Sequence, residues 1–545
     1  MDNRPASEAR PVLTGEQWAR LRAYGTPSQL PAGAWIFQAG DEVSDMILVE
    51  SGRVDIVRPS TSDDDEVTVA SYGACEFSGE LNLLTRQSAY LSACAAEASE
   101  IRRIGPEAFR TLMDSDPELS DIVLRALIAR RRDLRDGQAA RSLEIVGTEA
   151  SAAALALRTY AARLQLPHTW NEIGSPAGAA LARAVSATAG DLPVVITSGA
   201  VLRRATTSLL AGHLGLSYTP APGEQVDLVV IGAGPAGLAA GVYGASEGLR
   251  TLVLDSVAAG GQAAASSRIE NYLGFTSGIS GTELTAAAAV QAQKFGARIA
   301  SPCEVAELHS EPHRVRVVLS DGTTIGAGAA VIATGARYRA LPLERWAEFE
   351  GAGIYYAATE IEARACGAKP VAVVGGANSA GQAALYLAAR GSQVTLVVRG
   401  ADLRAGMSSY LADRIDADPH ITVRTGTHVT ALHGNTSLEQ ITLTGSPAQE
   451  CVGLFCFIGA TPATAWLDGI AGDEHGFLRT DAQLDNGDLG EQWTELGRRP
   501  LPFETSRPRI FAAGDVRSGS MKRVAAAVGE GASAVSSVHA ALRES

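Results

Sequence analysis

Two glycine loops constrain this chain more than anything else in it. Val226 to Leu238 reads Val-Asp-Leu-Val-Val-Ile-Gly-Ala-Gly-Pro-Ala-Gly-Leu, an apolar strand that breaks into glycines and then opens a helix. Gly232 permits the tight turn, Gly234 lets backbone approach a pyrophosphate, and Gly237 lets helix pack on strand, so the phosphates rest on the helix N-terminus. A second strand, Arg250 to Asp255, follows at the expected distance and ends in an acid placed to bind a ribose hydroxyl. A related loop recurs at Val371 to Ala384. Two such loops point to a doubly wound α/β architecture and to two dinucleotides used in series, as in a flavoenzyme.

The remaining composition narrows the class. At 545 residues the chain exceeds one core, and roughly 150 residues per domain predicts about three or four domains. A formal charge of −14 lacks the basic footprint of a nucleic-acid binder. No apolar run reaches the ~18 residues of a membrane span, and Met1 to Arg10 is too polar for a signal peptide, which predicts a cytoplasmic protein without a membrane partner. The six cysteines (Cys75, Cys94, Cys303, Cys366, Cys451, Cys456) form no CxxC and no zinc-like spacing, so no metal is expected and a buried-core role is the simplest reading of all six. Cys451 and Cys456 lie an odd number of residues apart in an apparent strand and are expected on opposite faces.

From Trp35 to Ile104 short alternating segments (Trp35 to Phe37, Met46 to Val49, Arg53 to Val57, Val67 to Tyr72, Ala89 to Ala93) predict an all-β barrel or jelly roll. Helices over Pro106 to Met113 and Leu119 to Leu134, the latter ending in arginines, close it. Between 142 and 220 strands and helices alternate as a small α/β sandwich: Glu144 to Val146, Ala152 to Leu164, His168 to Asn171, Ala177 to Ala187, Val194 to Ile196, Val201-Leu202 and Ala205 to Leu214. The expected domains are therefore 1–140, 141–222, a first nucleotide unit at 223–340 with 467–545 returning to it, and a second at 341–466.

Gly260-Gly261-Gln262, Ser266 to Phe275, Ala333-Thr334-Gly335 and Phe511 to Arg517 resemble bacterial thioredoxin reductases, from about residue 224 to the C-terminus. The resemblance implies FAD, with Gly232, Gly234 and Gly237 at its pyrophosphate, Asp255 at the ribose, Gln262 and Asn271 near the isoalloxazine, Thr334 also in the FAD site, Asp515 at the ribityl-phosphate region and Val524 in the helix start that faces the pyrimidine edge. It also implies NADPH at Gly375, Gly376, Ser379 and Ala380, with Arg399 and Arg404 where the family grips a 2′-phosphate. Ala377 replaces the second glycine of that loop, Gly400 a second arginine and Val398 a histidine. The largest departure is at Gly353 to Ala363, where the two redox cysteines of the family are Ala357 and Glu360. Without a dithiol the family's exchange route has neither nucleophile nor resolving thiol. Glu360 is a candidate proton donor, with a solvated helix carboxylate as the competing reading.

The amino-terminal part resembles a cyclic-nucleotide-binding domain at Ala39-Gly40-Asp41, Ser51-Gly52 and Phe77 to Leu84. Gly79 and Glu80 begin the phosphate cassette in that likeness, yet Gln87 precedes Ser88-Ala89 where the family has its phosphate-binding arginine, and Arg86 is shifted by one residue. The middle segment resembles a thioredoxin or glutaredoxin fold: Leu192-Pro193-Val194-Val195 looks like its cis-proline step, and Gly147 to Ala152 stands where the redox CxxC belongs. It too lacks a dithiol.

Together these resemblances imply an FAD-dependent, NADPH-linked oxidoreductase in which hydride passes from nicotinamide to flavin and then to an open acceptor, either a small electron-carrier protein or a small molecule. The amino-terminal half then regulates or docks it, with a regulatory ligand in the barrel, and the assembly expected is a homodimer. Two alternatives stand beside this reading. One is thioredoxin-disulfide reduction by a non-standard route, and the other is a flavin-binding sensor or scaffold without turnover.

Overall fold

The computed structural model describes residues 7–42, 45–59, 66–85, 87–137, 141–148, 151–220, 224–265, 269, 271–311, 313–350, 352–356, 358, 360–435 and 437–543. Its first sixth is a barrel of two four-stranded sheets. Thr26–Leu30, Ser99–Ile104, Met46–Ser51 and Glu76–Ser78 make one sheet, and Trp35–Phe37, Ser92–Ala95, Val54–Arg58 and Val67–Tyr72 make the other. Met46, Ile47, Leu48 and Val49 are all buried, because this strand meets barrel core on one face and helices on the other. The strand expected at Ala89 to Ala93 forms instead at Ser92–Ala95. Before it, Ala89 N–H still donates to Asp41 O at 2.9 Å within the barrel, whereas Ser88 N–H donates to Leu214 O at 3.1 Å outside it. Pro106–Ser115 and Pro117–Asp136 are helices, each with proline in its first turn, and Asp116 caps the second through Leu119 N–H.

Residues 143–214 follow as a mixed sheet in the order Thr169–Glu172, Leu143–Gly147, Val194–Thr197, Val201–Leu202, the first pair parallel and the others antiparallel. Helices Ala152–Arg163, Pro176–Ala184 and Thr207–His213 begin on Ser151, Ser175 and Thr206, each side chain accepting from the first-turn backbone. The Leu192–Pro193 peptide is cis.

The remainder holds two large sheets and a small antiparallel one of Val429–Gly434, Leu438–Leu443 and Ala448–Glu450. The first runs Arg298–Ala300, Thr251–Leu254, Val226–Ile231, Thr324–Ile332, Arg314–Leu319, Val305–Glu311, with Ile510–Ala512 pairing in parallel to Thr324–Ile332. The Val226–Ile231 strand reads as an almost unbroken apolar run because both faces are covered. The second is fully parallel: Ile354–Tyr355, Gly453–Cys456, Val371–Val374, Val394–Val397, Ile421–Arg424. A two-stranded ribbon, Ala336–Tyr338 with Ala460–Pro462, joins the two sheets. Among the described residues no helix is long and apolar enough to cross a membrane.

The expectation of six buried cysteines fails at two positions, since Cys75 is exposed and Cys94 half-buried. Cys451 precedes its strand and is not part of it, so it shares one core cluster with Cys456 and does not point away from it.

Candidate functional site

The first glycine loop is built as close packing requires. Gly232 has φ +105°, and a Cβ there would stand 2.4 Å from Ala333 O. A Cβ on Gly237 would stand 1.7 Å from Gly232 O, so only glycine lets this helix lie against its strand. Gly234 faces no side chain, and its nearest neighbour is Gly261 Cα, 3.8 Å from a Cβ placed there. It is also the N-cap of helix Pro235–Ser246 and gives that helix no side-chain cap. An open, uncapped helix start fits a pyrophosphate, whose oxygens accept the free N–H groups.

Around this loop the structure gathers Asp255, Gln262, Thr334, Asp515 and Val524 of the residues expected at FAD. Asp255, just past the second strand, accepts from Ala233 N–H at 2.8 Å and from Val257 and Ala258 N–H at 2.9 Å. Its carboxylate thus also fixes the loop. Gln262 donates its side-chain amide to Ala336 O, and Thr334 Oγ1 donates to Ala463 O at 3.0 Å, so both hold the ribbon between the sheets. Asn271 sits in an exposed loop. Asp515 is partly buried, and burial pushes its carboxyl up to about 6, opposed by Lys522 and Arg523 and reinforced by Glu530. Among the described residues no donor reaches that carboxylate, which fits a ligand that brings hydroxyl donors. Val524 opens the long helix Val524–Arg543. Glu530 from this helix accepts from Gly514 N–H at 2.8 Å and pairs with Arg517 at 3.0 Å, tying the segment around Asp515 to the helix.

The second loop is similar but tighter on its ligand side. Gly375 has φ +149°, and a Cβ there would lie 2.6 Å from Phe457 O. Ala377 is the uncapped N-cap of helix Asn378–Ala388, so Ser379 lies in its first turn and Ala380 is buried beneath. Gly376 approaches Gly406, where an added Cβ would meet Gly376 O at 2.8 Å. The open helix start, with exposed Arg399 just past the adjoining strand, fits a pyridine dinucleotide. Arg404, by contrast, is held by Asp413 at 2.7 Å and Asp416 at 2.8 Å. These are exposed pairs of small net worth, and a phosphate can replace them.

Where the resemblance puts a dithiol, Ala357 lies outside the described residues, and Glu360 opens the helix Glu360–Cys366, its side chain likewise undescribed. Tyr356 stacks on Tyr338, ring centroids 5.0 Å apart and planes at 10°, while Trp346 Nε1 donates to Tyr356 Oη at 3.0 Å. Burial raises the Tyr338 phenol to about 12, with Asp515 adding to the shift. Tyr356, just before the dithiol position, therefore packs at the Asp515 side of the first unit. Burial also raises the thiols of Cys366 and Cys456 to about 11 and that of Cys451 to about 12. None of these three is a thiolate at neutral pH.

In the barrel a cavity of about 560 Å³ is lined by Tyr72, Gly79, Glu80, Tyr90 and Arg130, among others. Gly79 has φ +152°. Glu80 is held by Arg131, whose Nη2 donates at 2.6 Å and whose Nε also donates. Gln87 is buried and accepts from Tyr90 Oη at 2.5 Å and from Arg131 at 3.4 Å. Ser88 is buried, and Arg86 lies outside the described residues. Sequence reasoning missed Arg131. Its signal was periodicity: Val123, Ala126, Leu127, Arg130 and Arg131 share the buried face of one helix, which places two arginines inside.

The chain itself is matched by known proteins. The model of the pyridine nucleotide-disulphide oxidoreductases matches residues 226–531, more than half of the chain, and that of the cyclic nucleotide-binding domain matches residues 27–116. The chain belongs to the pyridine nucleotide-disulphide oxidoreductases and is an enzyme of that family, with a cyclic nucleotide-binding domain added. Within the family it is similar to thioredoxin reductases. It is 34% identical over 311 residues to that of Treponema pallidum, covering 56% of this chain and 94% of the relative. It is 32% identical over 326 residues to that of Bacillus subtilis, covering 58% and 95%. The crystal structure of thioredoxin reductase from Streptococcus pyogenes superposes with a TM-score of 0.50 at 28% identity, over 59% of this chain and 99% of that one. FAD and NADPH are the cofactors of this scaffold.

Proposed function

We propose that this chain oxidises NADPH through FAD and delivers the electrons to an external acceptor without a dithiol of its own. The observation that carries this reading is the pairing of two glycine-cradled, uncapped helix starts with a former redox segment that has Glu360 in place of a cysteine. When bound, the two cofactors supply hydride transfer from nicotinamide to flavin. The protein's part is binding and orientation. Gly232, Gly234 and Gly237 receive the FAD pyrophosphate, and Asp255 and Asp515 take its sugar hydroxyls. Gln262, Asn271, Thr334 and Val524 border the ring system. Gly375, Gly376, Ser379 and Ala380 receive NADPH, with Arg399 as the first cation for its 2′-phosphate and Arg404 available once it leaves Asp413 and Asp416. Glu360 is the proposed proton donor at the acceptor side.

We assign the acceptor to the class of small electron-carrier proteins or small oxidants, met by a homodimer, and divide the chain at 1–140, 141–222, 223–340 with 467–545, and 341–466. The strand order and helix placement of residues 143–214 support a thioredoxin-like module that serves as a spacer and dock. Gly79, Glu80, Arg86 and Ser88 are the proposed contacts for a ligand of the barrel.

Anaerobic addition of NADPH to the purified holoprotein tests the central claim. Prompt bleaching of oxidised flavin, retained after all six cysteines are replaced, is expected. A flavin that stays oxidised with NADPH and NADH alike leaves only the sensor or scaffold reading.

A further inference from the structure

One helix of the first dinucleotide unit reaches the barrel beyond the junction at Ala258. The short cassette helix Asn82–Thr85, two residues after Glu80, packs on the helix Gly281–Lys294. Val290 of that longer helix enters the barrel's own core cluster, beside Leu81, Leu83 and Leu84. Just past its C-terminal end, Arg110 of the barrel's first closing helix stands 4.0 Å from where a Cβ on Gly296 would be. At its N-terminal end Thr282 Oγ1 donates to Ala264 O at 2.9 Å, and a Cβ on Gly260 would meet Thr285 Oγ1 at 2.9 Å. Gly260 and Ala264 bracket Gln262, which holds Ala336 O. One capped helix, started by a Ser280–Glu283 capping box, thus has barrel core at one end and the segment proposed to border the flavin at the other.

The barrel end is held by a buried ion pair. Arg131 is almost fully buried and spends its guanidinium on Glu80, on Gln87 and, at 3.5 Å, on Gln165 O of the middle module. Its charge also lies 5.6 Å from the Tyr90 ring centre. A buried guanidinium that loses its carboxylate is strongly unfavourable, so Arg131 stays on Glu80 or swings out of the site. Glu80 also accepts from Asn82 N–H at 3.1 Å, at the start of the cassette helix. Glu80 is thereby tied to the first residue of that helix.

We propose that the Arg131–Glu80 pair is a latch that presses the cassette helix onto Gly281–Lys294, so that occupancy of the barrel sets how firmly the Gly260–Ala264 segment holds FAD. Glu80 when ionised is acceptor-only, so the ligand that opens the latch presents hydrogen-bond donors, as a polyhydroxylated or amine-bearing molecule of a size for the 560 Å³ cavity does. This rests on the reading of the first glycine loop as the FAD site. The coupling needs no route other than one rigid helix and one two-state ion pair.

The test uses the full-length FAD-loaded protein and Glu80→Gln, made on the natural background and on Val290→Ala. Release of FAD is followed by the rise in free-flavin fluorescence, and protection of residues 281–296 by hydrogen exchange. Glu80→Gln is expected to speed FAD release at least fivefold and to lower that protection, while on the Val290→Ala background the same change shifts release less than twofold. Arg131→Lys, which keeps the charge but loses the fork, is expected to give a smaller change of the same sign, and Asp121→Asn, on the exposed face of the arginine-bearing helix, none. Equal factors on the two backgrounds, or unchanged release and protection in Glu80→Gln, overturn the latch. These readouts do not depend on turnover: a protein that NADPH fails to bleach but whose FAD release obeys the latch refutes the enzymatic reading alone.

Discussion

At the scale of single residues, burial sets the chemistry available. Cys303, Cys366, Cys451 and Cys456 carry thiols that burial raises to between about 11 and about 12. Iodoacetamide on the native protein near about pH 7.5 is therefore expected to label exposed Cys75 first and these four only after unfolding, as read by mass spectrometry. Asp515 moves the opposite way to a paired carboxylate. Its folded value near 6 lies above its ordinary 3.8, so the folded apoprotein binds a proton that the unfolded chain has released between these values, and stability falls as pH rises from about 4 to about 6. Asp515→Asn is expected to raise apoprotein stability above that window by about 1–3 kcal/mol and to weaken FAD retention. Thermal unfolding against pH, with and without FAD, checks both. A stability profile identical in the two proteins contradicts the assignment.

Two helix contacts in the first dinucleotide unit are made through glycine. The helix Pro235–Ser246 lies on its own strand through Gly237, and Val524–Arg543 lies on it through Gly531, where a Cβ would stand 2.1 Å from Ala236 O. Backbone oxygens cannot move aside as a side-chain tip can. Gly237→Ala is expected to destabilise the protein by about 3 kcal/mol or more and to leave most of it without FAD, as measured by denaturant titration and by the ratio of flavin to protein absorbance. Strands and helices of this kind were legible in the sequence wherever periodicity ran uninterrupted. Trp35–Phe37, Val67–Tyr72 and Val201–Leu202 form at the expected residues. Ala89 to Ala93 misled because its apolar residues satisfy a strand pattern while Tyr90 and Leu91 pack into the cluster shared with the middle module. Cys451 misled for a related reason, since the strand begins two residues later and the alternation rule does not reach it.

Across the whole molecule, three modules meet in one apolar cluster. Tyr90 and Leu91 from the barrel, Leu143, Tyr160 and Leu214 from the middle module and Ala258 from the first dinucleotide unit pack together. Tyr160 is fully buried, and its hydroxyl donates to Ser301 O at 2.8 Å across that junction. Tyr160→Phe keeps the ring and strands the carbonyl, with an expected loss of about 1–2 kcal/mol in thermal or denaturant unfolding. If the middle module melted independently of the rest, the variant would shift only one of two transitions; a single shifted transition shows the modules fold as a unit.

The glycine spacing, the acid after Thr251–Leu254 and the arginines after Val394–Val397 by themselves led to the expectation of two dinucleotide sites in that order, because those requirements are local to a few consecutive residues. The missing dithiol was equally plain, since a cysteine is present or absent at a position. What only the tertiary structure decided is who meets whom at long range. Arg131 pairs with Glu80, Arg404 with Asp413 and Asp416, Tyr356 with Tyr338, and the cassette helix with Gly281–Lys294. A buried arginine looks like a solvated helix end until the face it occupies is covered, and covering it takes the fold of the whole chain.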